Sequence, residues 1–154
     1  MTERPTITSS ELGTLWLTYQ QKTMTLRILE YFIEKADDEQ AKTIMTDLYG
    51  QIDPYVKKIM DIFKTEGAVT PVGYTSEDVS REAPKLYDHG ADIMFVRLIK
   101  EISMALHTLN ITMSYRKDIV MLYKVSLITL VDGALGTDND GGFLLSPPTV
   151  AVAN

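Results

Sequence analysis

A chain of 154 residues, 45% apolar and 23% charged, is long enough for one domain with its own core and has the composition of an ordered globular protein. Its formal net charge of -6 disfavours electrostatic capture by nucleic acid or anionic lipid, and the densest basic groups, Lys57-Lys58 and Arg116-Lys117, are too short to reverse that locally. The absence of cysteine excludes disulfides, thiolate metal ligands and cysteine nucleophiles.

The N-terminus, MTERPTITSSE, lacks the apolar core of a signal peptide. The most apolar stretch, 119–135, is interrupted by Lys124, Ser126, Thr129 and Asp132, whereas a membrane helix takes roughly 20 mostly apolar residues. A location inside the cell, without export or membrane insertion, is therefore expected.

The pattern predicts one all-α domain over 1–154, with helices at about 9–36, 38–66, 88–114 and 116–135. Thr8 and Glu11 form a T-x-x-E capping box for the first helix, whose stripe is Leu12, Leu15, Tyr19, Leu26, Leu29 and Ile33, flanked by Trp16. Asp37 with Gln40 is a second capping pattern. The second helix turns Ala41, Ile44, Leu48, Ile52, Tyr55, Ile59 and Ile62 to one side. Pro54 lies inside it, so either the helix is kinked there or it breaks into two near Gly50; Gly67 is its stop.

Residues 68–87 lose the helical period and hold Pro71, Gly73 and Pro84, with Thr75 and Asp78 placed to cap one short turn. A connection of this length must travel, and in a four-helix bundle it can run the length of the bundle, making helices two and three parallel. The third helix is expected to start at Asp88 as N-cap and to bury Phe95, Leu98, Ile102, Leu106, Leu109 and Met113. Ile93, Met104 and Ile111 then point outward. The fourth should bury Ile119, Leu122, Tyr123, Ser126, Leu130 and Ala134. It also carries a second apolar face: Val120, Met121, Val125, Ile128, Val131 and Leu135. Either the extended tail at 136–154, with Phe143, Leu144 and Leu145 docked on the bundle, or a homodimer through helices three and four would cover the outward apolar residues. The dimer is the preferred expectation.

A bundle of this shape can house a di-metal centre, which takes a Glu from each of two helices and a Glu-x-x-His from each of the others. Only Glu30, Glu101 and His107 come near that requirement. His107 falls about 160° round its helix from Leu109, which makes it a surface or interface histidine if Leu109 is inside. Helix two has Gln51 and Tyr55 on its inner face and no acid-histidine pair, and His89 sits at the start of helix three. Glu30 is expected to be a buried structural carboxyl, satisfied by Tyr55, Tyr123, Ser126 or Thr23 with Lys22 at the rim. The run 138–141 lacks the acids of a calcium loop and reads as a turn. No nucleophile elbow, P-loop or dinucleotide fingerprint occurs. No cofactor and no catalysis are expected.

The segments SSELGTLWLTYQ (9–20), YFIEKADDEQAK (31–42) and above all TPVGYTSEDVSREAPKLYDHG (70–90) resemble a family of uncharacterised proteins from Bacillus-type bacteria, some of which carry a spore-coat label. The positions carrying the resemblance in the last segment include Pro71, Gly73, Thr75, Asp78, Pro84 and Asp88, read as structural. The resemblance implies a ferritin-like four-helix bundle with a long crossover between helices two and three, and a spore association. Members often have two such units in tandem and a helix-two histidine where this chain has Tyr55. A structural or interaction role follows as the leading expectation. The alternatives are an atypical metal or redox protein using Glu30, Glu101 and a histidine, or a binder of a small apolar ligand near Pro54 lined by Tyr19, Tyr55 and Tyr123.

Overall fold

The computed structural model describes residues 4–88 and 90–135. Its helices are α1 (Ser9–Lys35), α2 (Glu39–Thr65), α3 (Ala91–Thr112) and α4 (Lys117–Leu135), with one 3-10 turn at Ser76–Asp78. Among the described residues there is no strand, and no helix is long and apolar enough to cross a membrane. His89, the 138–141 run, the 143–145 segment and the side chains of Ala134 and Leu135 lie outside the described residues.

The chain forms an all-α four-helix bundle from two antiparallel hairpins, α1–α2 and α3–α4, with α1 packed on α3. Short links make the hairpins. α1 starts at the capping box, where the Thr8 hydroxyl accepts from the Glu11 amide at 3.1 Å and the Thr8 amide donates to Glu11 at 2.9 Å. The N-cap of α2 is Asp38 rather than Asp37. The Asp38 carboxylate accepts from the amides of Gln40 and Ala41 at 2.7 and 3.0 Å, while Asp37 is free to pair with Lys85 of the crossover. Helix α2 continues unbroken through Gly50 and Pro54. It ends where Gly67, at φ 65°, lets the Ala68 amide reach back to Phe63 O at 2.9 Å.

The crossover climbs the outside of α1. The Tyr74 amide donates to the Thr23 hydroxyl at 3.1 Å, the Lys35 ammonium to Arg81 O at 2.9 Å, and the Tyr31 hydroxyl to Pro84 O at 2.8 Å. It therefore returns the chain to the start of α2, so that α3 runs parallel to α2. Gly73 sits where a Cβ would come within 2.6 Å of the Tyr19 ring, at φ 67°; both facts demand glycine. Pro71 is buried, and the Thr75 amide donates to Asp78 at 2.7 Å across the 3-10 turn.

Helices α1 and α2 bury the centre of the expected stripes, with Phe32, Met45, Val56 and Phe63 added; Leu12, Ile33, Ala41, Ile44 and Ile62 are half-buried, and Gln51, expected inside, is exposed. Helix α3 does not. Phe95, Leu98, Ile102, Leu109 and Met113 are exposed, Leu98 and Leu109 by 52% and 53%. The buried residues are Ile93, Val96, Lys100, His107 and Asn110, with Met104 and Ile111 packed against the core. The period was right and the side was reversed, because α1 and α4 offer polar partners that only the other face of α3 can meet: the Asn110 amide donates to the Thr18 hydroxyl at 3.4 Å, and His107 bonds Ser126 at 2.8 Å. The start of α3 is also corrected. The chain turns once more after Asp88, whose carbonyl accepts from the Ala91 amide, and Gly90 at φ 75° takes the cap position.

At the far end one carboxylate joins the two hairpins. Glu11 is wholly buried. Beside its capping bonds it accepts the amides of Tyr115 and Arg116, the first residues before α4, at 2.8 and 2.7 Å. Burial raises its pKa, but the backbone amides of Arg116, Thr8 and Tyr115 outweigh that and hold it below its ordinary value. Arg116, also buried, donates to Glu66 at the end of α2 at 2.6 Å and to Asp118 at 2.8 Å, and Arg4 pairs with the same Asp118. Replacing Glu11 by Ala is expected to cost about 3 kcal/mol or more, since it strands several buried donors at once. Urea unfolding at pH 7 measures this; a loss within the ~0.5 kcal/mol typical of a surface change would show that the carboxylate does not join the hairpins.

Candidate functional site

The inward faces of the four helices meet in a polar layer. From α1 come Thr14, Thr18 and Lys22, from α2 Tyr55, from α3 His107 and Asn110, and from α4 Tyr123 and Ser126. His107 is 2% exposed, and its ring lies 5.7 Å from each of the Tyr55 and Tyr123 rings. Its Nε2 is 2.8 Å from Ser126 Oγ, and its Nδ1 is buried with no partner among the described residues. A proton on Nε2, donated to Ser126, leaves no buried N–H unpaired. The Tyr123 hydroxyl donates to Thr14 at 3.1 Å, whereas the Tyr55 hydroxyl is buried with no hydrogen bond among the described residues.

Lys22 is the anomaly of the layer. It is 4% exposed, and no hydrogen bond or ion pair to it exists among the described residues. Burial alone lowers its pKa, to about 8. His107 is pushed down to about 3, first by burial and then by the nearby Lys22 charge. Lys100 is likewise buried, without an ion pair among the described residues, and its pKa is lowered by burial. Burial raises the Tyr55 and Tyr123 hydroxyl pKa values.

The residues singled out in the sequence distribute unevenly. Tyr55 and Tyr123 come together around His107, but Tyr19 packs under Gly73 of the crossover. Glu30 accepts from the Tyr49 hydroxyl at 3.1 Å and pairs with Arg27 at 2.8 Å. Its partners are not Tyr55, Tyr123, Ser126, Thr23 or Lys22. Glu101 is on the surface with Arg97 at 2.9 Å. Glu30, Glu101 and His107 are therefore not assembled, and no cluster of three or more His, Asp or Glu able to hold a metal occurs among the described residues. His107, expected at the surface, is central. Lys22 was legible in register, four residues before Leu26 and seven after Leu15, and its charge alone argued for the rim.

Two of the cavities in the described residues concern this framework. One, of about 150 Å³, lies beside Pro54 and is lined by Lys22, Ile52, Tyr55, Lys58, Val125 and Ser126 among others. The other, of about 780 Å³, lies under the crossover between α1 and the start of α3. Its walls include Met24, Tyr31, Phe32, Leu86, Tyr87 and Phe95.

The full length, residues 1–154, matches a family model described as protein of unknown function, DUF3231. The chain belongs to the DUF3231 family. No curated protein matches it. Its fold is similar to the crystal structure of a "putative spore coat protein" from Bacillus halodurans, with a TM-score of 0.76 at 13% identity over 92% of this chain and 87% of that one. At that identity the likeness concerns the fold.

Two outcomes test the polar layer of this DUF3231 member. In the fold His107 resists protonation until about pH 3, whereas the unfolded chain accepts the proton near its ordinary value of 6.5. Stability from this group is thus complete above pH 6.5 and is lost as pH falls through that window, by up to ~1.4 kcal/mol per pH unit. The groups facing His107 from the other helices, Lys22, Tyr55 and Tyr123, do not titrate between pH 6.5 and 4.5. Urea midpoints of wild type should fall over that range, and those of His107→Gln should fall less; parallel curves would refute the assignment. Replacing Lys22 by Met at pH 7 should stabilise the fold by about 1–3 kcal/mol, because it removes an uncompensated buried charge. A lower midpoint would mean that the ammonium is paired.

Proposed function

We propose that this protein is a non-enzymatic structural or interaction protein of ferritin-like connectivity, associated with the spore and assembled as a homodimer through the outer faces of α3 and α4. The observation carrying this reading is the orientation of α3. Its most continuous apolar stripe faces away from the bundle, and Met121, Val125, Ile128 and Val131 of α4 extend it, each between 38% and 50% exposed. A contiguous apolar surface of this kind is an interaction surface in an ordered domain. A second copy fits it because the patch is carried by two neighbouring helices, and two such layers can meet about a two-fold axis with each stripe facing its equivalent. The description of the structurally similar protein from Bacillus halodurans supports the spore association.

The cavity under the crossover favours a second reading, a binder of a small apolar ligand. Its walls are aromatic and aliphatic over most of its 780 Å³.

Sedimentation velocity at micromolar concentration should give twice the mass of one chain. Ile102→Glu with Leu109→Glu should give a folded monomer, since both side chains are about half exposed and their loss costs the bundle little. A monomeric wild type, or a double variant that remains dimeric, removes this interface.

A further inference from the structure

The cavity beside Pro54 is small, enclosed by α1, α2 and α4, and unbalanced in charge. Lys22 stands in its wall and Lys58 lines it as well, while no Asp or Glu does. Burial costs a lysine its hydration, and a folded protein normally returns part of that loss through a carboxylate or several acceptors. Lys22 receives neither among the described residues. An ammonium with no anionic partner, in the wall of a space that no acid lines, is complementary to an acceptor group carrying negative charge.

The remaining walls narrow the class. Ile52, Pro54, Val125 and Leu130 are apolar and Gln51, Ser126 and Thr129 polar, so the space suits a hydrocarbon end as well as an anionic one. At about 30 Å³ per water, the cavity's 150 Å³ corresponds to roughly five waters. We propose that this cavity binds a small aliphatic monocarboxylate, its carboxylate held by Lys22 Nζ and its chain against Ile52, Val125 and Leu130. The polar wall residues Gln51, Ser126 and Thr129 suit phosphate as well, whereas only a monocarboxylate also fills the apolar side; phosphate bound more tightly than propionate overturns this choice. This site shares Val125 with the α4 part of the outer apolar face, but Lys22 lies on α1 and the proposal does not rest on the dimer.

The test uses the full chain and propionate as probe, titrated by calorimetry at pH 7, with propionamide, chloride and phosphate at matched ionic strength. Saturable binding of propionate is expected, with propionamide at least about tenfold weaker, since the contact to a charged partner is lost. Lys22→Met should weaken propionate by at least about tenfold, and so should Lys22→Gln, which keeps a polar head without the charge. Absence of saturable propionate binding overturns the proposal, as does equal binding of propionamide or chloride, or undiminished binding to Lys22→Met. Should Lys22→Met not fold, Lys22→Gln decides: unchanged affinity overturns the site. The dimer stands or falls on sedimentation, so failure of either reading is visible without the other.

Discussion

The bundle depends on the placement of one carboxylate. Glu11 belongs by sequence to the first turn of α1, yet it supplies the acceptor for the amides that open α4, more than a hundred residues later. The exposed N–H groups at a helix start attract negative charge, and here two helix starts share the same one. Arg116 adds the complementary charge and ties the end of α2 to the same corner through Glu66. Three helix ends are thus fixed at one point, and the two hairpins can dock in only one relative register. The crossover acts at the other end. With Gly73 against Tyr19 and Pro84 O on the Tyr31 hydroxyl, it locks the return path that makes α2 and α3 parallel.

Much of this was legible in the residues. The capping box at Thr8 and Glu11, the stop at Gly67, the irregular crossover and the inner faces of α1, α2 and α4 follow from local rules of capping and periodicity. What local rules do not contain is the second role of Glu11, because its partners are backbone amides remote in sequence. The side of α3 was equally out of reach. Periodicity gives the angle between His107 and Leu109, about 160°, but not which of the two is inside. The assumption that the more apolar face is buried decided it wrongly, since Asn110 and His107 find hydroxyl partners in Thr18 and Ser126.

The candidate site was legible in a different proportion. Tyr55 and Tyr123 were placed inward, and they do meet, but around a histidine assigned to the surface. Lys22 lay on the core stripe by spacing and was moved to the rim on the ground that ammonium groups avoid burial. That ground is sound as an average and fails where an unmatched charge is part of a site, which is where local consistency is expected to break. Glu30 shows the reverse case: its inward angle was right, and Arg27 from its own helix with Tyr49 from α2 hold its Oε1, while Oε2 is buried with no partner among the described residues.

The two departures, a polar inner face and an apolar outer one on α3, belong together energetically. Turning α3 by half a circle would bury Leu98, Ile102 and Leu109 and return Lys100, His107 and Asn110 to water. Each large aliphatic side chain fully buried contributes about 1.5–3 kcal/mol, but the turned packing would also expose Ile93 and Val96, so apolar burial alone separates the two faces by little. The observed orientation offsets part of that difference with the Thr18 and Ser126 bonds, and those are worth only about 1 kcal/mol each. The rest comes from Ile93 and Val96, which the turned packing would expose, and from Met104 and Ile111 packed against the core. The face that closes the polar layer inside also leaves an apolar stripe outside, so the two departures have one origin.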